Sequence, residues 1–175
     1  PVDQGFTNML VELHPQFNVI DLEEDFSRYR VVILPDEIRP SKELLAKLDQ
    51  FVAGGGAVLA TAESLLDPKH FWFYWKPLGI RYQGKAKFKG EYLLAKPGAF
   101  HSLEESAYFL YQPGHSIAAD EQTEVLATYG HPYFDRSPEH FSSHKQTPMG
   151  VRSGDPVITL HGRVAYIANP IFRSY

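Results

Sequence analysis

Two apolar segments separated by an amphipathic helix dominate the first third of the chain. Residues 29–34 (YRVVIL) and residues 57–61 (AVLAT) are rich in β-branched or small apolar side chains. Such runs are typical of strands buried on both faces of a parallel sheet. Between them, Ser41 is a potential N-cap, residues 44–52 carry apolar side chains at helical spacing, and three glycines at 54–56 end the helix. Strand, helix and strand in this order predict a right-handed crossover in an α/β layer architecture.

The rest of the chain reads as shorter elements around that unit. The first part adds a helix at residues 7–14 and a strand at residues 17–21. From residue 71 onward, short aromatic segments alternate with turn residues; strands are predicted at 108–111, 124–129, 157–160 and 163–168. We expect one α/β domain over residues 1–175, with β-rich additions around 71–130.

Composition excludes several classes of protein. The 175 residues contain no cysteine, which excludes disulfides, thiolate metal sites and cysteine nucleophiles. No apolar run approaches ~20 residues, so we expect no membrane contact. The chain starts at Pro1 without a signal peptide, so we expect a piece of a longer or processed chain, with a cytoplasmic location favoured.

Charge argues against a nucleic-acid partner. The formal net charge is −4, which gives no field that attracts phosphate backbones. The lysines at 85, 87 and 89 alternate with small or aromatic residues, a pattern typical of a protected strand edge.

Neither the glycines nor the acidic pairs of this sequence match the pattern of a phosphate-binding loop or of hydrolytic carboxylates. The glycines at 54–56 follow a helix, whereas phosphate loops precede one, so they are interpreted as a C-cap and turn. The acidic pairs are adjacent in sequence, which on a strand directs them to opposite faces and does not suit glycoside hydrolysis. We therefore predict no catalytic residue, no cofactor and no metal for this chain.

Two groups of residues remain as candidates for a site. Glu63 and Ser64 follow the 57–61 strand, where open α/β sheets place ligands, although Ser64 also suits a structural turn cap. Residues 131–144 are dense in polar and aromatic side chains, and His140 and His144 would share one face of a helix. With His131 or an acidic neighbour they could hold a divalent ion, bind a sugar or form a subunit interface; the interface is favoured.

Several segments carry a resemblance to a known family. Residues 14–21, 29–36 and 51–59 resemble the trimerisation domain of β-galactosidases. Residues 132–136 and 139–144, with the closing stretch 169–175, are similar to the C-terminal region of glycoside-hydrolase-like proteins that carry this domain.

The resemblance implies a three-layer flavodoxin-like (class I glutamine amidotransferase-like) sandwich with a mostly parallel sheet and extra strands in the second half. Amidotransferases of that fold place a cysteine roughly where residues 61–64 lie here, so their activity is not carried over. In the β-galactosidases the domain associates subunits and leaves the chemistry to a barrel of ~200–250 residues.

We therefore expect a non-catalytic accessory domain of a glycoside-hydrolase-like protein. Its partners would be further copies of itself, with trimers as one possibility, and an upstream catalytic barrel. Aromatics and arginine dominate binding hot spots, so the interface candidates are Trp72, Trp75, Tyr133, Phe134 and Arg136. The alternative is a carbohydrate or metal site, whose candidate residues are Glu63, Ser64, His131, Tyr133, His140 and His144.

Overall fold

A computed structural model describes residues 2–67, 69 and 71–173. In chain order the elements are α1 (Val2–Leu13), a 3-10 turn (Phe26–Arg28), β1 (Val31–Leu34), α2 (Lys42–Ala53), β2 (Ala57–Thr61), a second 3-10 turn (Lys76–Leu78), β3 (Ile80–Lys85), β4 (Glu91–Ala95), β5 (Ala107–Leu110), β6 (His115–Ala119), β7 (Glu124–Pro132), β8 (Met149–His161) and β9 (Val164–Ile167).

Seven strands form one mixed sheet in the order β1-β2-β9-β8-β7-β4-β5. β1, β2 and β9 are parallel neighbours, and every other pair in this sheet is antiparallel. It follows that β1, β2, β9, β7 and β5 all end on the same side of the sheet, which we name the carboxyl end. The side on which these strands begin is named the amino end.

The β1-α2-β2 unit forms as the sequence predicts. The Ser41 hydroxyl accepts a hydrogen bond from the Leu44 N–H and caps α2, and Gly54 is its C-cap. The Gly54 N–H donates to the Gln50 carbonyl at 2.9 Å, which ends the helix before β2. β1 and β2 pair in parallel with Val32 opposite Val58.

The principal core lies on one face of the sheet. The buried strand residues on this face include Val32, Leu34, Val58, Ala60, Val164 and Tyr166. Leu44, Leu48 and Phe51 of α2 belong to the same cluster, as do Ile80 of β3 and Ile117 of β6. The two-stranded antiparallel β3–β6 sheet thus covers this core together with α2.

The opposite face of the parallel strands is only partly buried. In β1 the burial alternates, and Val31 is 51% exposed. Residues 29–34 are thus not a strand buried on both faces; their β-branched side chains reflect strand propensity as well as burial.

The predicted three-layer flavodoxin-like (class I glutamine amidotransferase-like) sandwich is therefore wrong. The structure is mostly β, with a curled mixed sheet of seven strands and only two α-helices among the described residues. Only three strands are parallel neighbours, because the second half of the chain adds antiparallel strands to the sheet and no further helical layer.

Outside the β1-α2-β2 unit, some predicted elements are confirmed and others are wrong. The early helix and the strands of the second half are confirmed, and Gly162 makes the β8–β9 turn with a φ of 58°. The strand predicted at 17–21 is wrong, since these residues are irregular. Lys85 ends β3 and residues 86–90 form a loop, so the alternating lysines do not continue a strand edge.

Across the part of the chain that the structure describes, neither helix has the length and apolar character that a bilayer crossing requires.

Candidate functional site

Two loops rich in exposed aromatic side chains leave the carboxyl end of the sheet. The first, residues 62–75, follows β2, and the second, residues 133–148, follows β7. We name them the first and the second aromatic loop. Trp72 in the first is 55% exposed and Tyr133 in the second is 71% exposed. Because β2 and β7 run in the same direction, the topology brings both loops to one end of the molecule, with β9 and β8 between them.

The first aromatic loop is held by buried hydrogen bonds at its start. The Ser64 hydroxyl donates to the Leu34 carbonyl at 2.9 Å and accepts from the Ile38 N–H at 3.2 Å. The Tyr166 hydroxyl donates to the Ala62 carbonyl at 2.6 Å. Ser64 is fully buried, and its hydroxyl fixes the loop to the end of β1 and to residue 38; it does not cap the following turn, which is what the structural interpretation from the sequence expected.

The backbone of this loop adopts left-handed conformations at residues other than glycine. The φ angles are 47° at Ala62, 66° at Leu65 and 54° at Phe71, and Asp36 on the neighbouring connection has a φ of 42°. Such angles are uncommon for residues with a Cβ and persist where surrounding contacts hold them. Four of the five such residues in the described part of the chain lie at the carboxyl end of the sheet; the fifth is His14.

The two tryptophans of the first loop have opposite surroundings. The Trp72 ring lies 5.3 Å from the Tyr74 ring at the surface. Trp75 is 3% exposed, and its indole Nε1–H donates to the Asp49 carboxylate of α2 at 2.7 Å. Trp72 therefore presents an aromatic surface, whereas Trp75 belongs to the core and joins the loop to α2.

Glu63 acts electrostatically on a buried histidine. Its negative charge acts on the imidazole of His115 and on the phenol of Tyr82. Burial lowers the pKa of His115, and the charge of Glu63 opposes this shift only in part. The His115 Nδ1 lies 3.5 Å from the Tyr166 hydroxyl, and its ring packs edge-on against Tyr82 at 5.3 Å. The imidazole is thus kept neutral among aromatic rings.

The second aromatic loop is non-helical. The Tyr133 N–H donates to the Pro148 carbonyl at 3.1 Å and closes the base of the loop. The Arg136 guanidinium lies 5.3 Å from the centre of the exposed Phe141 ring, and the rings of Phe134 and His140 are 5.5 Å apart. The loop therefore exposes aromatic and cationic groups that are organised by contacts with one another.

The helical pairing of His140 and His144 does not occur. Residues 137–140 form a turn, in which the Ser137 hydroxyl accepts from the His140 N–H at 3.2 Å. His144 lies further along the loop, where its carbonyl accepts from the Ser142 hydroxyl at 2.8 Å. Residues four apart share one face only in a helix, so this spacing does not bring the two imidazoles together here.

A buried carboxylate that the sequence did not reveal lies at the base of the second loop. Glu91, the first residue of β4, is 1% exposed. Its Oε1 lies 2.8 Å from the His131 Nδ1, an ion-pair distance at which the two groups do not satisfy hydrogen-bond geometry. The His131 Nε2 lies 3.5 Å from the Asp155 carboxylate. A single imidazole of β7 therefore stands between a buried and an exposed carboxylate.

Burial raises the pKa of Glu91 to about 7, and the negative charges of Asp155 and Asp135 add to this shift. The carboxyl group can thus gain or lose its proton near neutral pH. The Asp135 carboxylate is itself occupied, because it accepts a hydrogen bond from the Lys89 N–H at 2.9 Å. The only sequence signal for Glu91 was its place in an aromatic β-segment, where a charged residue is unusual on a buried face.

The residues of the candidate ligand site have different neighbours. Glu63 acts on His115 and Tyr82, whereas His131 contacts Glu91 and Asp155. Among residues 2–67, 69 and 71–173, no group of three or more histidine or acidic side chains is arranged to hold a metal ion. The carboxyl end of the sheet therefore exposes aromatic rings and an arginine. It also contains the neutral, buried His115 and the buried Glu91, whose carboxyl group can gain or lose its proton near neutral pH.

Comparison with solved structures agrees with this fold. The α-L-fucosidase isoenzyme 2 from Paenibacillus thiaminolyticus superimposes with a TM-score of 0.88 at 34% identity, over 99% of this chain and 26% of the fucosidase. The cold-adapted β-galactosidase from Rahnella sp. R3 (TM-score 0.64, 21% identity) and that from Bacillus circulans sp. alkalophilus (0.64, 22%) each align over 90% of this chain and 23% of their own. This chain thus spans about a quarter of the length of these structures.

At the level of sequence, comparison with curated proteins gives no match. The family model described as the β-galactosidase trimerisation domain matches residues 4–78. This segment contains most of α1, the β1-α2-β2 unit and the first aromatic loop. The resemblance drawn from the sequence is thereby confirmed: residues 4–78 match the family of the β-galactosidase trimerisation domain.

Proposed function

We propose that this chain is a non-catalytic accessory domain of a glycoside-hydrolase-like protein that mediates assembly through the two aromatic loops. The observation that carries the proposal is the exposure of Trp72 and Tyr133 on loops that leave the same end of the sheet. Exposed tryptophan, tyrosine and arginine are the residues that most often dominate protein interfaces.

Two features of the loops support an interface. The first loop is anchored by the buried Ser64, so its aromatic side chains are displayed on a constrained backbone. The second loop adds Phe141, which is 72% exposed, beside the guanidinium of Arg136. An interface formed by pre-organised groups loses less entropy on binding than one formed by mobile groups.

The share of its neighbours that this chain spans supports an accessory role. It aligns with about a quarter of the fucosidase and of the β-galactosidases, so most of each of those chains lies outside the aligned part. A catalytic barrel of ~200–250 residues exceeds the 175 residues of this chain. We infer that the chain contributes self-association, docking to such a barrel, or both, and leaves the reaction to other parts of the protein.

The alternative is a carbohydrate or metal site made of Glu63, Ser64 and residues 131–144. Two observations weigh against it. The Ser64 hydroxyl is buried with both a donor and an acceptor contact. Glu63 interacts with His115 and Tyr82, whereas His131 interacts with Glu91 and Asp155, so the two residues belong to different groups of side chains.

Light scattering coupled to gel filtration tests the proposal. We expect the protein to show a mass above that of the monomer, and we expect Trp72→Ala and Tyr133→Ala to shift the distribution toward monomer. Val31→Ala is the control, because Val31 is exposed at the amino end of the sheet. An unchanged mass distribution in both loop variants would exclude self-association through these loops.

Docking to a barrel is measured separately. The barrel region of the same protein is expressed on its own and titrated with this chain in a calorimeter. We expect binding that the loop variants weaken and that Val31→Ala preserves. If neither self-association nor barrel binding depends on the loops, the proposed function fails.

A further inference from the structure

A cavity of about 380 Å³ lies at the amino end of the sheet, on the side away from the aromatic loops. Its lining includes Arg30, Arg163, Tyr29, Gln50 and the glycines at 54–56. The family match and the proposed assembly function assign nothing to this cavity. Its two arginines come from distant parts of the sequence, and the register of the sheet explains why they meet.

Arg30 immediately precedes β1 and Arg163 immediately precedes β9, the two strands on either side of β2. The Ala57 N–H donates to the Arg30 carbonyl at 3.0 Å, and the Val58 N–H donates to the Arg163 carbonyl at 3.0 Å. Two strand spacings separate their backbones by about 10 Å. The arginines therefore flank the start of β2 from both sides and line one cavity.

Neither guanidinium has an acidic partner. Among the described residues, Arg28, Arg81 and Arg173 form ion pairs with carboxylates, whereas Arg30 and Arg163 form none. The Asp25 carboxylate near this end accepts the N–H of Ser27. The two positive charges repel each other across the cavity. An anion bound between them would be attracted by both.

Gly56 packs closely against the Phe51 ring, and the N–H groups of this glycine turn are already hydrogen-bonded. A Cβ at Gly56 would lie 2.4 Å from atoms of the Phe51 ring, so this position accepts no side chain without a shift of the ring. The N–H groups of Gly54 and Gly56 donate to the carbonyls of Gln50 and Phe51 and are not free for a ligand. Recognition in this cavity therefore depends on side chains, above all on the two guanidinium groups.

We propose that this cavity binds a small oxyanion, a phosphate or carboxylate group held between Arg30 and Arg163. A guanidinium offers a planar pair of donors that matches both groups, and charge-assisted hydrogen bonds of this kind are strong. Gln50 and Tyr29 line the same cavity. The Tyr29 hydroxyl accepts a hydrogen bond from the Asn18 amide at 3.1 Å, so its own proton is available as a further donor. This inference is independent of the proposed assembly function, because it concerns the opposite end of the sheet.

Titration of the protein with inorganic phosphate tests the site, with chloride as the counter-titrant at matched ionic strength. Calorimetry or amide chemical shifts provide the readout. We expect saturable binding with shifts at residues 54–56, and we expect Arg30→Gln and Arg163→Gln each to weaken it about 10-fold or more. Arg152→Gln is the matched control, because Arg152 is exposed and is also without an ion pair in the described part of the chain.

Acetate and succinate titrations distinguish a carboxylate from a phosphate as the preferred group. Circular dichroism of each variant verifies that the fold is intact. Absence of saturable binding by all three anions would overturn the proposal. So would binding that is equal in the natural protein and in the folded Arg30→Gln, Arg163→Gln double variant.

Discussion

Asp36 and Thr61 bind each other twice across the carboxyl ends of β1 and β2. The Asp36 N–H donates to the Thr61 Oγ1 at 2.8 Å, and the Thr61 hydroxyl donates to the Asp36 Oδ1 at 2.6 Å. The other carboxylate oxygen of Asp36 accepts from the Arg173 N–H at 2.9 Å. The pair thus ties the two parallel strands to the end of the chain, directly beneath the first aromatic loop.

Removal of this hydroxyl destabilises the fold. Thr61→Val keeps the shape of the side chain and leaves two polar groups of the buried Asp36 without a partner, so we expect a loss of about 1–3 kcal/mol in the free energy of unfolding. Urea denaturation measures the loss. Ser143→Ala, at an exposed position of the second aromatic loop, serves as the control and should change stability little. Equal stability of Thr61→Val and the natural protein would contradict the assigned role.

The buried carboxyl group of Glu91 makes stability depend on pH. Its pKa is raised from 4.5 to about 7 in the folded protein, so the folded state holds this proton more tightly than the unfolded state does. The stabilisation linked to this proton is complete below about pH 4.5 and is lost as the pH rises to about 7, with a magnitude on the order of 2–3 kcal/mol.

Glu91→Gln removes the titrating group and preserves the shape of the side chain. We expect the stability of this variant, relative to the natural protein, to increase between pH 5 and pH 8. Urea denaturation at several pH values provides the test, with the exposed Glu105→Gln as control. A difference between Glu91→Gln and the natural protein that stays constant over this range would exclude the linkage.

The buried His115 has the opposite effect on the pH dependence of stability, because it lowers the stability toward acidic pH. Burial lowers its pKa below the ordinary value of 6.5, so the unfolded state gains a proton before the folded state does. Stability linked to His115 is therefore present above about pH 6.5 and falls as the pH decreases. The imidazole proton resonances of His115 should titrate at lower pH in the folded protein than in urea. Identical titration in both states would contradict the burial effect.

The two tryptophans of the first aromatic loop should respond differently to truncation. Trp75→Ala removes a core side chain and leaves Asp49 without its indole donor, so we expect a loss of about 3–5 kcal/mol. Trp72→Ala removes an exposed ring and should change stability by less than about 0.5 kcal/mol. Thermal and urea denaturation compare the pair. A large loss in Trp72→Ala would mean that this ring supports the fold.

Local parts of the fold were predictable because their signals are local. The Ser41 cap, the glycines after α2, the 57–61 strand and the Gly162 turn each depend on a few neighbouring residues and are confirmed. The strand at 17–21 was not predictable in this way: its apolar alternation matches a strand, but the residues find no strand to pair with. A short strand is stable only where a neighbour completes its hydrogen bonds.

The candidate site was predictable only in outline. The sequence named Trp72, Trp75 and Tyr133 as interface candidates, but it could not separate Trp72 from Trp75, because exposure depends on what covers each ring. Glu91 was missed for the same reason: its burial depends on where β4 lies in the sheet, between β7 and β5.

The sequence by itself determined the β1-α2-β2 unit, the absence of cysteine chemistry and the family resemblance of residues 14–21, 29–36 and 51–59, which the match over residues 4–78 confirms. Only the tertiary structure decided that one face of the parallel strands is partly open and that the second half adds antiparallel strands. It also decided that Arg30 and Arg163 line one cavity. These features depend on strand order and register between segments far apart in the chain, and no local propensity encodes them.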